Sequence, residues 1–308
     1  METKIIRDEE LKEQILGEVK KEISMLQEKH HKVPGIAFIG FLGVPLGKYN
    51  MPFHVRLAQE MGFRVFEEIK PDNSTEQELL DLIEILNKND EVDAIVLLQP
   101  LPVHLSPIRI MNKIDSCKEM EGFHPQNILG TLMPDIRQNN YPMCLPTALT
   151  EIFRHNGIQP QKDQEWVLLL DDEFFSNQMV NMVTRTAFTK AVPVDCTLTI
   201  VNANSEKLPE HCKRADFLVV VTKQPEYIQP EWLKPGACII DIYSNLVKEV
   251  PGKNDPGKLI PIIRGGVNVD SVINIASAII PVPGGLMSIV LAILFRNTVS
   301  AFKNKLQE

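Results

Sequence analysis

The sequence predicts an α/β protein with two domains around a cleft. Three observations lead there. Short apolar runs alternate with helix-like stretches in both halves of the chain. A proline-rich stretch from Gln99 to Pro146 interrupts the alternation. The 308 residues suffice for two domains of ordinary size, each with its own core. With 44% hydrophobic and 23% charged residues the composition is that of a globular chain, which excludes a disordered polymer, a collagen and a disulfide scaffold.

The elements follow in order. Leu11, Ile15, Val19, Ile23 and Leu26 draw one stripe along a helix, stopped by His30, His31, Pro34 and Gly35. Ile36 to Phe41 is a short apolar strand. Pro52 to Met61 reads as a helix ending at Gly62, and Arg64 to Ile69 as a second strand. Ser74 and Gln77 form a capping box for a helix through Leu86. Asp93 to Leu98 is continuously apolar after its first residue, as a strand buried on both faces must be. Strands alternating with helices predict a parallel sheet with right-handed crossovers.

The stretch Gln99 to Pro146 is read as a wall between domains, with short helical pieces, where a ligand cleft forms. A helix over Thr147–His155 restarts the alternation. Strands follow at Trp166–Leu170, Thr197–Val201, Phe217–Val221, Ala237–Ile242 and Leu259–Ile263, with a helix over Asn177–Lys190. This order matches a Rossmann-like half. A final apolar helix, Leu286 to about Phe302, is expected to return to the first domain. The boundaries are therefore 1–146 plus about 285–308, and 147–284.

Charge and targeting signals narrow the partners. A net charge of −8 argues against a broad electrostatic grip on nucleic acid. Cys117, Cys144, Cys196, Cys212 and Cys238 are scattered without a CxxC or Cys/His cluster, so a reduced compartment and no metal site are expected. The charged N-terminus is no secretory signal. The apolar run Leu286–Phe295 is shorter than the ~18–20 residues of a bilayer span, so a buried helix and a cytoplasmic, membrane-free protein are expected.

Three motifs carry chemistry. A dinucleotide site needs small residues at the first strand–helix turn, so that backbone amides can approach a pyrophosphate. Here that turn is Asp171-Asp172-Glu173-Phe174-Phe175-Ser176-Asn177, without a glycine. Each like-charge contact with a phosphate at ~4–6 Å would cost on the order of a few kcal/mol. The turn reads either as an acidic loop and N-cap or as a seat for a cation or cationic ligand. Gly122-Phe-His-Pro125 is the second motif, flanked by Glu119 and Glu121. His124 there is a ligand or acid–base group, or a hydrogen-bonded structural histidine; two carboxylates beside a Gly turn can take an amine or amide edge. Third, Pro281-Val-Pro-Gly-Gly285 is a side-chain-poor turn that opens a helix or lets a planar ligand lie on the backbone.

In order and spacing, Gln99-Pro-Leu-Pro102, Lys118-Glu-Met-Glu-Gly-Phe-His-Pro125 with Asn127 and Gly130, Cys144-Leu-Pro146, Lys234-Pro-Gly-Ala-Cys-Ile-Ile-Asp241 and Pro281-Val-Pro-Gly-Gly285 with Asn297-Thr298 form one set. Together they resemble the bifunctional methylenetetrahydrofolate dehydrogenase/cyclohydrolase (FolD) family, over roughly 33–302. The resemblance implies two α/β domains around a cleft, a homodimer, NADP in the second domain, a folate in the cleft, and a place in one-carbon tetrahydrofolate metabolism.

Carried over residue by residue, the family's pattern is altered. Its Tyr and the Lys four residues later fall on Asn50 and His54, with Tyr49 one place early. Its Gln slot is Leu98, with Gln99 displaced by one, and its folate-contacting Asp is Glu121. The family's Thr after Cys144 is Leu145. The resemblance thus implies His54 as the catalytic group and Tyr49, Asn50, Gln99, Glu121, Pro283, Gly284 and Gly285 as substrate-binding. The vestigial cofactor slots are Asp171, Asp172, Glu173, Ser176, Asn202, Thr222 and Ile242. The family's glycines after Val221 and Asp241 are Lys223 and Tyr243, and its Val-Gly-Pro-Met-Thr is Leu286-Met-Ser-Ile-Val290. These changes lead to the expectation that NADP is not bound in the family's manner and that normal hydride transfer is lost. Three functions stay open: an altered one-carbon folate enzyme, a working dehydrogenase/cyclohydrolase in which a small local shift brings Tyr49, Lys48 and Gln99 into the first-domain slots, or a noncatalytic folate-binding or scaffold dimer that keeps the fold.

Overall fold

The structure, a computed structural model, describes residues 2–132, 141–171, 180, 196–253, 255 and 257–307. It divides into two compact units, Lys12–Cys144 with Leu291–Glu308, and Met1–Leu11 with Leu145–Val290. Both are α/β, the fold class expected.

In the first unit, α1 (Glu9–His30) precedes a three-stranded parallel sheet of β2 (Gly35–Phe41), β3 (Arg64–Lys70) and β4 (Ala94–Leu97), ordered β3-β2-β4. Every residue of β2 and β4 is buried, which explains their unbroken apolar runs. Between β2 and β3 lies α2 (Gly47–Met61), one turn longer at its start than the predicted Pro52–Met61. Leu46, at φ 64°, turns the chain into it, and its carbonyl accepts the N–H groups of Tyr49 and Asn50. Pro52 lies inside this helix rather than opening it.

The helix α3 (Glu76–Lys88) is capped one residue later than the sequence suggests. Thr75, in extended conformation, accepts from Glu78 N–H, and the Glu78 carboxylate reaches back to Thr75 N–H at 2.7 Å. Ser74 is buried instead, its carbonyl held by His104. At the other end, Lys118 Nζ donates to the carbonyls of Leu86, Asn87 and Asn89 at 3.0, 2.7 and 2.8 Å. One ammonium thus satisfies three carbonyls at the end of the helix. Burial holds the Lys118 pKa below the ordinary lysine value. Lys118→Met is expected to destabilise the chain by about 1–3 kcal/mol, measured by chemical denaturation, with faster amide exchange in the last turn of α3.

The stretch after β4 carries the short helices α4 (Pro107–Met111) and α5 (Pro125–Leu132), and α6 (Cys144–Asn156) follows. The second unit is built on six strands: β1 (Lys4–Ile5), β5 (Glu165–Leu170), β6 (Thr197–Val201), β7 (Phe217–Val221), β8 (Cys238–Asp241) and β11 (Ala278–Ile280). Their order is β1-β11-β8-β7-β5-β6, and every pairing is parallel. The chain's first residues pair here, Lys4 with Ala278 and Ile5 with Ile279, not with the domain to which the sequence boundary of 1–146 assigned them. Strands of two and three residues are too short to show periodicity, so β1 and β11 escaped the sequence reading.

The predicted strand at Leu259–Ile263 forms, as β10 (Leu259–Arg264), but outside this sheet. It pairs antiparallel with β9 (Asn245–Pro251) in a separate ribbon. The short helices α7 (Leu208–Cys212) and α8 (Val269–Val272) complete the described connections. The helix predicted over Asn177–Lys190 lies outside the described residues.

The last helix, α9 (Leu286–Lys305), has 20 residues, longer than its apolar run implied. By length and composition it could cross a membrane, yet 72% of its most apolar window is buried within the protein, as in the core helix of a globular chain.

Candidate functional site

The first cluster is built on one face of the three-stranded sheet. In a parallel pair, residues in register share a face, and residues two apart return to it. Phe38 pairs with Val96, so Phe38, Gly40, Val96 and Leu98 face one way. A Cβ on Gly40 would meet Met51 Sδ at 3.0 Å and Leu98 Cδ1 at 3.6 Å, which places α2 and Leu98 on that face. His54, one turn beyond Met51, packs edge-on to Phe38 and Phe53, with ring centroids 5.8 and 5.7 Å away. The two slots that the resemblance assigns to a Lys and a Gln therefore share this face as His54 and Leu98. Gln99, beyond the end of β4, places its side-chain amide 3.5 Å from the Leu97 carbonyl.

His54 Nδ1 lies 2.7 Å from the Asn50 carbonyl oxygen. A carbonyl only accepts, so Nδ1 carries the proton and Nε2 keeps its lone pair in the neutral ring. Burial pushes the His54 pKa below the ordinary imidazole value, and the Asn50 carbonyl opposes that only in part. The ring is a neutral base at neutral pH. Tyr49 and Asn50, in the first turn of α2, are half-buried, and the Lys48 ammonium lies 5.3 Å from the Tyr49 ring centroid.

The second cluster is the turn before α5. Glu119 is fully buried, and its carboxylate accepts the N–H groups of Glu121, Gly122 and His124 and the side-chain amide of Asn127. Gly122, at φ 88°, meets the Met143 backbone so closely that a Cβ would sit 2.5 Å from Met143 Cα. The Cys144 thiol donates to the Met120 carbonyl at 3.1 Å, and Asn297 on α9 bridges the carbonyls of Met120 and Pro142. Burial, reinforced by the Glu119 charge, pushes the Glu121 carboxyl up to about 8. His124 Nδ1 accepts Gln126 N–H at 3.2 Å and caps the start of α5, which is the structural role weighed for it. Glu119 thus turns to the backbone of its own turn rather than to a ligand's amine or amide edge. Its donors are mostly backbone amides, which leave no side-chain signature.

The second unit carries the remaining residues. Its sheet reverses direction of growth between β5 and β7, the position where open α/β sheets take ligands at the carboxyl ends of their strands. Asp171, Asn202, Thr222 and Ile242 all follow the ends of these strands. Thr222 Oγ1 donates to the Asp171 carboxylate at 3.1 Å, and Asn202 Nδ2 lies 3.4 Å from the Leu170 carbonyl. The N–H groups of Asp171, Ile242 and Gln224 are already bonded to Val221 O, Val220 O and Thr222 Oγ1. Asp172, Glu173 and Ser176 lie outside the described residues.

Pro283, Gly284 and Gly285 belong to this same unit. Arg7 Nη1 donates to the Pro283 carbonyl at 2.7 Å, and a Cβ on Gly284 would lie 3.2 Å from that nitrogen. Arg7 carried no signal in the sequence, because 276 residues separate the partners.

Asp241, at the end of β8, is fully buried and accepts the N–H groups of Gly266 and Val267 at 3.1 and 3.0 Å. Burial nevertheless pushes its carboxyl up to about 7. A folded pKa above the unfolded one means that the folded chain holds the proton more tightly. Its contribution is complete below about pH 4 and is lost as the pH rises to about 7. Denaturation curves from pH 4 to 7 should show that loss, on the order of a few kcal/mol, in the native chain and not in Asp241→Asn.

Two family models match the chain. One, described as tetrahydrofolate dehydrogenase/cyclohydrolase, catalytic domain, covers residues 6–121, and the other, the NAD(P)-binding domain of the same family, covers residues 143–306. A protein named bifunctional protein FolD from Desulfosudis oleivorans is 34% identical over 306 residues, covering 99% of each chain. Its namesake from Desulfatibacillum aliphaticivorans is 33% identical, covering 98% of each. Among solved structures, the Trypanosoma brucei methylenetetrahydrofolate dehydrogenase-cyclohydrolase, complexed with NADP and an inhibitor, superposes with a TM-score of 0.83 at 23% identity over 100% of each chain. The Campylobacter jejuni FolD enzyme superposes with a TM-score of 0.78 at 23% identity, covering 98% of this chain and 99% of its own. At those identities the two structures speak to the fold alone. With both domain models matched in order and full-length relatives above 30% identity, this chain belongs to the tetrahydrofolate dehydrogenase/cyclohydrolase family.

Proposed function

We propose that this chain binds a tetrahydrofolate carrying a one-carbon unit and catalyses cyclohydrolase-type hydrolysis, with His54 as the proton-accepting group and without NADP-dependent hydride transfer. The observation that carries this reading is the state of His54. Its ring is neutral, with Nδ1 committed to the Asn50 carbonyl and Nε2 left as a base, in the slot of the family's lysine. Hydrolysis of a methenyl group needs a proton acceptor for water and no hydride carrier. Tyr49, Asn50, Gln99 and Glu121, all in the first unit, are the residues proposed to bind the folate.

The loss of hydride transfer rests on a mismatch of charge and backbone. At the strand ends of the second unit, the described residues offer the Asp171 carboxylate, and the amides of Asp171, Ile242 and Gln224 are already bonded. A pyrophosphate needs the opposite: free N–H groups and close backbone approach. That mismatch supports a site that does not take NADP in the family's manner.

Calorimetry tests the reading. NADP and NAD at millimolar concentration are expected to give no saturable heat, whereas tetrahydrofolate gives a saturable isotherm and slows amide exchange at 122–124. Tight binding of either nucleotide would defeat the loss of hydride transfer. Leu98, on the sheet face that α2 covers, favours a second reading, a noncatalytic folate-binding or scaffold dimer, because it puts an apolar side chain where the family has a polar one. Folate binding without turnover selects that reading, and sedimentation reads the dimer.

A further inference from the structure

Two carboxyls share the turn before α5 and are treated very differently by it. Glu119 Oε1 accepts the N–H groups of Glu121 and Gly122 at 2.8 and 3.1 Å. Its Oε2 accepts His124 N–H at 2.8 Å and Asn127 Nδ2 at 3.1 Å. Among the described residues, none gives an N–H or O–H to the Glu121 carboxyl, two residues on. Where burial raises the cost of a second charge, neighbouring carboxyls do not both ionise, and the proton settles on the one with fewer donors.

We propose that Glu119 is a positioning residue that keeps the negative charge of this carboxyl pair on itself and presents Glu121 to the ligand as a neutral acid, a hydrogen-bond donor. A donor carboxyl selects an acceptor on the ligand, a ring carbonyl or an imine nitrogen. An ionised carboxylate would select an N–H edge instead. Only the naming of the ligand rests on the folate reading above. The charge state of the pair is a property of the protein.

The surroundings support the assignment. Burial first, and then the Glu119 charge, push Glu121 up to about 8. Among the described residues, the Cys144 thiol at the start of α6 also faces it, and burial holds that thiol well above the ordinary value and therefore neutral. Arg296 on α9 acts on Cys144, and His124, in the turn itself, has its Nδ1 taken up by Gln126 N–H.

Carboxyl ¹³C NMR of the glutamate-labelled full-length chain tests the proposal, with the Glu121 resonance assigned by its loss in Glu121→Gln. The expected midpoint is about 8, moving at least about one unit toward acid in Glu119→Gln. In parallel, the dissociation constant for tetrahydrofolate should rise about tenfold per pH unit above that midpoint and be flat in Glu121→Gln. A wild-type midpoint near the ordinary value of about 4.3, or one unmoved by Glu119→Gln, overturns the proposal. Should Glu119→Gln not fold, the wild-type midpoint decides alone. A midpoint near 8 with no tetrahydrofolate bound at any pH supports the charge assignment and defeats the folate reading.

Discussion

His54→Ala is expected to lower methenyltetrahydrofolate hydrolysis by about 10²- to 10⁴-fold, the range that a positioned general base supplies. The fold should survive, because the ring lies against Phe38 and Phe53 at a half-buried position rather than at the centre of the sheet. Circular dichroism of the variant checks that. The pH profile gives a second signature. Burial lowers the pKa of His54, so the base form persists on the acid side of the ordinary imidazole value of about 6.5. Hydrolysis should therefore hold level through neutral pH and fall only below that value, as the ring takes a proton. An unchanged rate in the variant removes His54 from the reaction and leaves the noncatalytic reading.

The largest stability effect is expected at Trp166. Its ring is wholly buried and stacks on Phe217 at 4.2 Å between centroids and 9° between planes, with Phe153 closing the group at 6.3 Å. Trp166→Ala removes both the buried area and the stacking, and should cost about 3–5 kcal/mol in urea or guanidinium unfolding. Trp166→Phe should cost much less, about 1–2 kcal/mol, because among the described residues the indole N–H has no partner, so its removal gives up no hydrogen bond seen there. Equal losses in the two variants would show that the indole nitrogen matters in a way that the packing does not.

These expectations draw on two kinds of information. The strands at Ile36–Phe41 and Trp166–Leu170 were legible because residues buried on both faces of a parallel sheet must be apolar without interruption. The α3 cap was legible to within one residue, because Ser74 and Thr75 are both good caps and only the backbone angles choose between them. The strands Lys4–Ile5 and Ala278–Ile280 were not legible, since their pairing joins chain segments more than 270 residues apart.

The site divides in the same way. That the Lys and Gln slots hold His54 and Leu98, and that three acidic residues open the loop after β5, is written in the chain itself. Residue identity at a fixed spacing needs no coordinates. That burial lowers the His54 pKa and raises that of Glu121, and that Arg7 reaches Pro283, were decided by tertiary structure. Protonation depends on burial, and burial arises only when distant segments pack together.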